Sequence, residues 1–341
     1  MNYKDFRNDM ELRIGAFCKQ DGIYENPEVK IQKVVKNNGM ELYGFQITEA
    51  GQQNTKSAEA YPIVYLEEFY DMYKKGALIG DVARACIKKY EEARKKGEAI
   101  AETFLNTFDD KEVFLSRVMP ELHSLSLNQT WTETMPHRVY GDIMEIAVVT
   151  TKLSDGQTME AKINNSILET LGVDQEELFD HALENMKRDD PAHLINIMDM
   201  LMGVEPSKDL PDITQPGEMA ALMTDMCGAA AVLDEDMIGR MTKKYGDIYL
   251  LPSSVHEFLV LPKDVSIQSL PEMRQMVYEI NRNEVAPSER LSDQVYEIRD
   301  GRLSIAMTAE ERALMESANL AGTKEKAKDT GRTNRPKKHS R

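Results

Sequence analysis

Apolar residues recur at Phe6, Met10, Ile14 and Phe17, the spacing that puts side chains on one face of a helix, so residues 2 to 20 predict an amphipathic opening helix. Two alternating runs follow, VKIQKVV and MELYGFQI, separated by KNNG. An Asn-Gly step tolerates positive φ, and between alternating segments it predicts a β-hairpin. After a polar loop from Glu49 to Ala60, PIVYLEEFYDMYKKG begins extended and turns helical. A long amphipathic helix then runs from Leu78 to Lys96, with Val82, Ala85, Cys86, Lys89 and Tyr90 on neighbouring turns.

The middle of the chain predicts a helix near Lys111 to Arg117 and a strand through Met119 to Leu125. RVYGDIMEIAVVTTK, Arg138 to Lys152, reads as one long strand that returns through a turn at Ser154-Asp155-Gly156 as TMEAKI. NNSILETLG and VDQEELFDHALENMKR follow as helices, with Asp174 as an N-cap and Glu177 completing a capping box. Beyond the Pro-punctuated link VEPSKDLPDITQPGE come strands in MAALMTDM and GAAAVL and a helix from Asp234 to Tyr245. Strands in DIYLLP and VHEFLVLP, a helix from Pro271 to Glu284 and a hairpin in QVYEIRDGRLSIA turning at Asp300-Gly301 complete the body. TAEERALMESANLAG predicts a short helix capped by Thr308.

Hairpin-linked strands with helices between the groups predict an α+β fold with largely antiparallel sheets packed against helices. The strict strand-helix alternation of a doubly wound parallel fold is missing. The expected organisation is an N-terminal α+β subdomain over 1–108, a middle strand-hairpin-helix subdomain over 109–203, a third α+β subdomain over 216–307, and a short helix with a basic tail over 308–341.

Charge sharpens this picture. The chain of 341 residues carries -16 overall, yet Lys324, Lys326, Lys328, Arg332, Arg335, Lys337, Lys338 and Arg341 face only Glu325 and Asp329 between Gly322 and Arg341. That segment is therefore +6 and the remainder -22. An acidic body repels nucleic acid and anionic membranes except through the tail, which reads chiefly as a solvated extension, with weakly held nucleic acid, or the body itself or a protein partner, as the alternatives. With almost no apolar residues, the tail cannot offset its ordering entropy and is expected to be disordered.

No window approaches the roughly 18 apolar residues of a membrane span, and the charged N-terminus does not read as a signal peptide, so a cytoplasmic location without membrane contact is expected. Cys18, Cys86 and Cys227 are odd in number and far apart, which fits small buried side chains better than disulfides or zinc. The 21 methionines read chiefly as adaptable core filler.

YLLPSSVHEFLVLP is the densest cluster of reactive residue types. On a pleated strand Ser254 and His256 share one face while Glu257 lies on the other, which argues against a local triad. HEFLV lacks the second histidine of HExxH, and the surroundings lack GxSxG. The cluster reads chiefly as a structural strand entry with a hydrogen-bonded Ser-Ser turn and a satisfied histidine; the alternative is a ligand-binding strand end at which Ser253, Ser254, His256 and Glu257 present polar groups. His137, five residues ahead of Asp142, is the other candidate for an acid-base pair or a metal site at a strand mouth. GxxxxGK and GxGxxG fail along the chain, and DEDM lacks the oxygen spacing and glycine of a calcium loop. Neither cofactor nor metal is expected.

YPIVYLEEFYDMYKKG, MPHRVYGDIMEIAVV, and GAAAVL followed by DIYLLPSSVHEFLVLP resemble the bacterial family catalogued as domain of unknown function 5688, over about Met1 to Ala306. LPSSVHE is its most specific string. Thr150-Thr151 stands where a more aromatic strand end is expected, and the basic tail looks like an appendage. The resemblance implies a cytoplasmic bacterial protein and brings no activity with it. The residues favour a non-enzymatic interaction or regulatory module with a protein partner. The competing readings are a hydrolase-like enzyme using His137 or His256 with Asp142, Glu257 or Ser254, and nucleic-acid association through the tail.

Overall fold

A computed structural model describes residues 1–50, 62–152, 158–299 and 301–315, with the main chain alone over 98–105. The expected turn at 154–156, Asp300, most of the loop from Glu49 to Ala60 and the basic tail lie outside the described residues.

Three antiparallel sheets organise the described residues, which is the expected α+β class. The first layer combines α1 (Tyr3–Gln20), the hairpin β1 (Pro27–Val35) and β2 (Glu41–Glu49), β3 (Val64–Tyr65), α2 (Glu67–Lys74) and α3 (Ile79–Leu105). Phe6, Met10, Ile14 and Cys18 of α1 meet Phe45, Ile47, Val82, Cys86 and Tyr90 in one apolar cluster. The KNNG turn forms as expected, with Asn38 at φ 58° and Gly39 at φ 67°.

The second sheet follows α4 (Lys111–Leu115) and contains β4 (Val118–Ser124), β5 (Arg138–Tyr140), β6 (Ile143–Lys152) and β7 (Thr158–Lys162). The single strand expected over Arg138 to Lys152 is broken: Tyr140 pairs with Ile143, leaving Gly141-Asp142 as a two-residue hairpin turn. Gly141 has φ 65°, and a Cβ there would stand 2.7 Å from Ile305 Cγ1, so both conformation and space demand glycine. Behind the sheet lie α5 (Asn165–Leu171) and α6 (Gln175–Asp189), the latter capped by Asp174. The Glu177 carboxylate of the expected capping box accepts from Lys111 Nζ at 2.8 Å.

The third sheet orders its strands β13-β12-β10-β11-β9-β8. β8 (His193–Asn196) leads into α7 (Ile197–Leu201), then β9 (Ala220–Met223), α8 (Glu235–Tyr245), β10 (Ile248–Pro252), β11 (Phe258–Pro262), α9 (Leu270–Asn283), β12 (Tyr296–Arg299) and β13 (Arg302–Ile305). GAAAVL is not the expected strand but a run of 3-10 turns over Gly228–Leu233. Two constraints impose this. Asp190 draws in the preceding N–H groups of Asp225, Met226 and Cys227, and Gly228 turns the chain at φ 54°. The resulting apolar cluster joins Met119, Leu122 and Ile143 of the second sheet to Leu250, Phe258 and Tyr296 of the third. Met10, Met119, Met186, Met241 and Met273 are core filler as expected, whereas Met198, Met200 and Met202 stand out into solvent around α7.

Candidate functional site

Pairing between β10 and β11 closes at Pro252 and Phe258, so residues 253–257 are a hairpin loop and not the pleated strand expected. Their side chains therefore do not alternate. Buried Ser254 accepts the backbone N–H of His256 at 3.0 Å and donates to Glu257 Oε1 at 3.3 Å. The His256 imidazole turns outward, with Nε2 3.7 Å from Glu289 Oε1, and Ser253 is half-buried at the end of β10. Hydroxyl, imidazole and acid are thus divided among separate partners.

The loop is shaped by its neighbours. Val255 donates to the Glu289 carbonyl at 2.9 Å, and its own carbonyl accepts from Ala229 N at 3.0 Å. A Cβ on Gly228 would stand 2.7 Å from Val255 O, so the SSVHE and GAA strings form one packed unit. Nearby, Asn37 Nδ2 donates to Ser288 O at 2.6 Å, and Asn38 Nδ2 to Pro287 O and Arg290 O, each at 2.8 Å. The KNNG turn of the first sheet is thereby fastened beside the same loop.

His137 and Asp142 also part company. His137 Nδ1–H donates to the Met135 carbonyl at 3.1 Å. The Asp142 carboxylate accepts Ser292 Oγ at 2.8 and 2.9 Å and the Tyr296 hydroxyl, pinning the β5–β6 turn to the third sheet. Burial first, and then the Asp142 charge, push the Tyr296 hydroxyl far above its ordinary range.

Beside that pin opens a cleft of about 1500 Å³, walled by Leu183, Val232, Leu233, Ile238, Ile305 and Met315, with His137 at its edge. Its floor is the β5–β6 hairpin. Arg138 faces Glu145 across the two strands, and the Tyr140 hydroxyl donates to Glu145 Oε2 at 2.9 Å. Arg138 is drawn off by Glu176 and by Asp180, the latter 3.3 Å away. Glu145 is 1% exposed, and among the described residues its Oε1 has no hydrogen-bond partner. Burial raises the Glu145 carboxyl to about 7 against the opposing pull of Tyr140 and Arg138, so it exchanges a proton near neutrality.

A second polar cluster lies in the same sheet. His123 Nε2 is 2.8 Å from Glu121 Oε2 and its Nδ1 is 3.0 Å from Asn37 Oδ1, while Lys162 Nζ reaches Glu121 Oε2 at 3.2 Å. Burial raises the Glu121 carboxyl, but His123 and Lys162 prevail and hold it at about 2; burial lowers His123. With both imidazole nitrogens engaged, this cluster fastens the first sheet to the second. Among the described residues no group of three or more His, Cys, Asp or Glu is placed to hold a metal ion, and no helix is long and apolar enough to cross a membrane.

Residues 3–299 match the model of a family of unknown function (DUF5688). The chain belongs to this family. No curated protein and no solved structure matches it. The family's region includes Glu145, Tyr140 and Arg138 as well as the SSVHE loop, and stops short of β13.

Glu145 escaped the sequence reading although it left a trace there, a single carboxylate inside the apolar run IMEIAVV. Its chemistry yields a stability prediction. The folded value, about 7, lies above the ordinary 4.5, so the stabilisation from the bound proton is complete below 4.5 and is lost as pH rises through 7. Glu145→Gln, which stays neutral, should therefore be more stable than wild type at pH 8, by up to about 3 kcal/mol, with little difference at pH 4.5. Urea unfolding at both pH values measures this, and an equal difference at both would contradict it.

Proposed function

We propose that the chain is a cytoplasmic, non-enzymatic interaction protein that holds an extended, cation-bearing segment of a partner protein in the cleft beside Glu145. The observation that carries this reading is the buried, half-satisfied Glu145 carboxylate on the floor of a cleft bordered by two sheet edges. β5 and β13 both line the cleft, and each lies at the end of its sheet's strand order. Edge strands offer backbone N–H and C=O groups to an incoming strand, and apolar walls accept its alternate side chains. A lysine or arginine reaching Glu145 would complete its hydrogen bonding and stabilise its ionised form.

The residue types that could support hydrolysis are engaged elsewhere: Ser254 with Glu257, and Asp142 with Ser292 and Tyr296. One observation favours the enzyme reading, namely that His137 lines the same cleft as Glu145. Fluorescence anisotropy with a capped octapeptide alternating lysine and valine tests the binding reading. Glu145→Lys should weaken binding at least about tenfold, the loss of one favourable charge contact and gain of a repulsive one. Ser254→Ala and His256→Ala should leave it within about twofold, since neither lines the cleft. The reverse pattern would transfer the site to the SSVHE loop.

A further inference from the structure

The last described turn shows where the chain goes next. Residues 309–315 are helical, with Thr308 as the expected cap, its Oγ1 accepting Glu311 N at 3.2 Å. This turn is anchored on both sides. Arg312 donates to buried Glu297 at 2.6 Å, and Arg274 grips Glu311 at 2.6 and 3.0 Å. Met307 and Met315 both line the cleft, so the main chain leaves the described body at the cleft's own wall. Gly322 lies seven residues beyond Met315, a span of at most about 25 Å when extended. The first lysines of the +6 segment therefore lie within reach of the cleft.

One acidic oxygen without a partner, in a lining whose charges balance, supports the same occupant. The cleft holds Glu145 with its unpaired oxygen, and Glu176 and Glu235 also line it. Its cations are Arg138, which is held by Glu176 and Asp180, and Arg299 and Arg302 on the β12–β13 hairpin. The acidic position left open is thus the Glu145 oxygen on the β5–β6 hairpin. A tether of this length keeps the segment at a local concentration of the order of millimolar, enough to favour even a weak contact.

We propose that the basic segment Gly322–Arg341 is an intramolecular ligand of this cleft, seating a lysine or arginine against Glu145 and competing with the partner segment. This rests on the cleft being the binding site. Binding of a partner would then require displacement of the chain's own segment, a built-in autoinhibition.

Hydrogen exchange on the full chain tests it. Wild type is compared with a variant carrying Lys324→Gln, Lys326→Gln, Lys328→Gln and Arg332→Gln, following amides of residues 138–145 and 302–305. Exchange there should be several-fold faster in the variant, and the Lys-Val octapeptide should bind the variant several-fold more tightly than wild type. Equal exchange and equal peptide affinity in the two proteins would overturn the inference. If the octapeptide nevertheless protects residues 138–145 in both, the cleft remains the binding site and only the intramolecular ligand is lost. If it protects them in neither, the binding reading falls as well. Retention on single-stranded RNA that disappears in the variant, without any change in cleft exchange, would assign the segment to nucleic acid instead and overturn the inference.

Discussion

Gly228→Ala is expected to destabilise the chain by about 3 kcal/mol or more, because two separate costs combine at one position. The residue sits at φ 54°, where a Cβ costs roughly 1 kcal/mol. That Cβ would also stand 2.7 Å from Val255 O and 2.9 Å from His256 Cα, both backbone atoms that cannot swing aside as a side chain would. Relief requires moving the 253–257 loop, and overpacking of this kind adds typically 1–3 kcal/mol. Gly172→Ala is the matched control, since φ is 64° there but nothing lies within 4 Å. Urea unfolding of both variants separates the two costs. A Gly228→Ala loss no larger than that of Gly172→Ala would show that the SSVHE and GAA strings are not packed as one unit.

Asp190→Ala should be comparably damaging, by about 3–4 kcal/mol. The carboxylate accepts Asp225 N at 3.0 Å, Met226 N at 3.0 and 3.1 Å and Cys227 N at 2.7 Å, and is itself 4% exposed. Hydrogen bonds to a charged group contribute roughly 1.5–3 kcal/mol each, and truncation leaves the buried Cys227 N–H unpaired in an apolar cluster. The cost is smaller than the sum because Met226 is exposed and water can satisfy its N–H. Asp190→Asn, which keeps one acceptor oxygen, should recover part of the loss. Identical unfolding midpoints for Asp190→Ala and wild type would contradict this account of the turn.

The elements that sequence pattern revealed are those governed by local rules. The KNNG hairpin follows from two residues that tolerate positive φ, and α1, α6 and α9 follow from apolar spacing, α6 also from its cap at Asp174. What stayed hidden depends on distant partners. GAAAVL has the composition of a buried strand, yet Asp190, lying 37 residues before Cys227, bends its entry and Gly228 turns it under the Val255 loop. Gly141-Asp142 is a recognised hairpin dipeptide, but the unbroken apolar run on both sides masked it.

The candidate chemistry divided in the same way. SSVHE attracted attention because reactive residue types stand together in the sequence, although in the fold they serve the loop and its neighbours. His137 does reach the cleft, while Asp142 is spent on joining two sheets. Glu145 gains its character only from the tertiary environment, since burial and an unmet oxygen cannot be read from one letter in a strand.

Affinity for the capped Lys-Val octapeptide at pH 6 and pH 8, measured on wild type and on Glu145→Gln, tests the binding claim most directly. With the carboxyl poised near 7, it is mostly protonated at pH 6 and mostly ionised at pH 8. A ligand cation selects the ionised form, so wild type should bind about tenfold more tightly at pH 8, while Glu145→Gln should change little. The same pH dependence in both proteins would remove Glu145, and with it the cleft floor, from recognition.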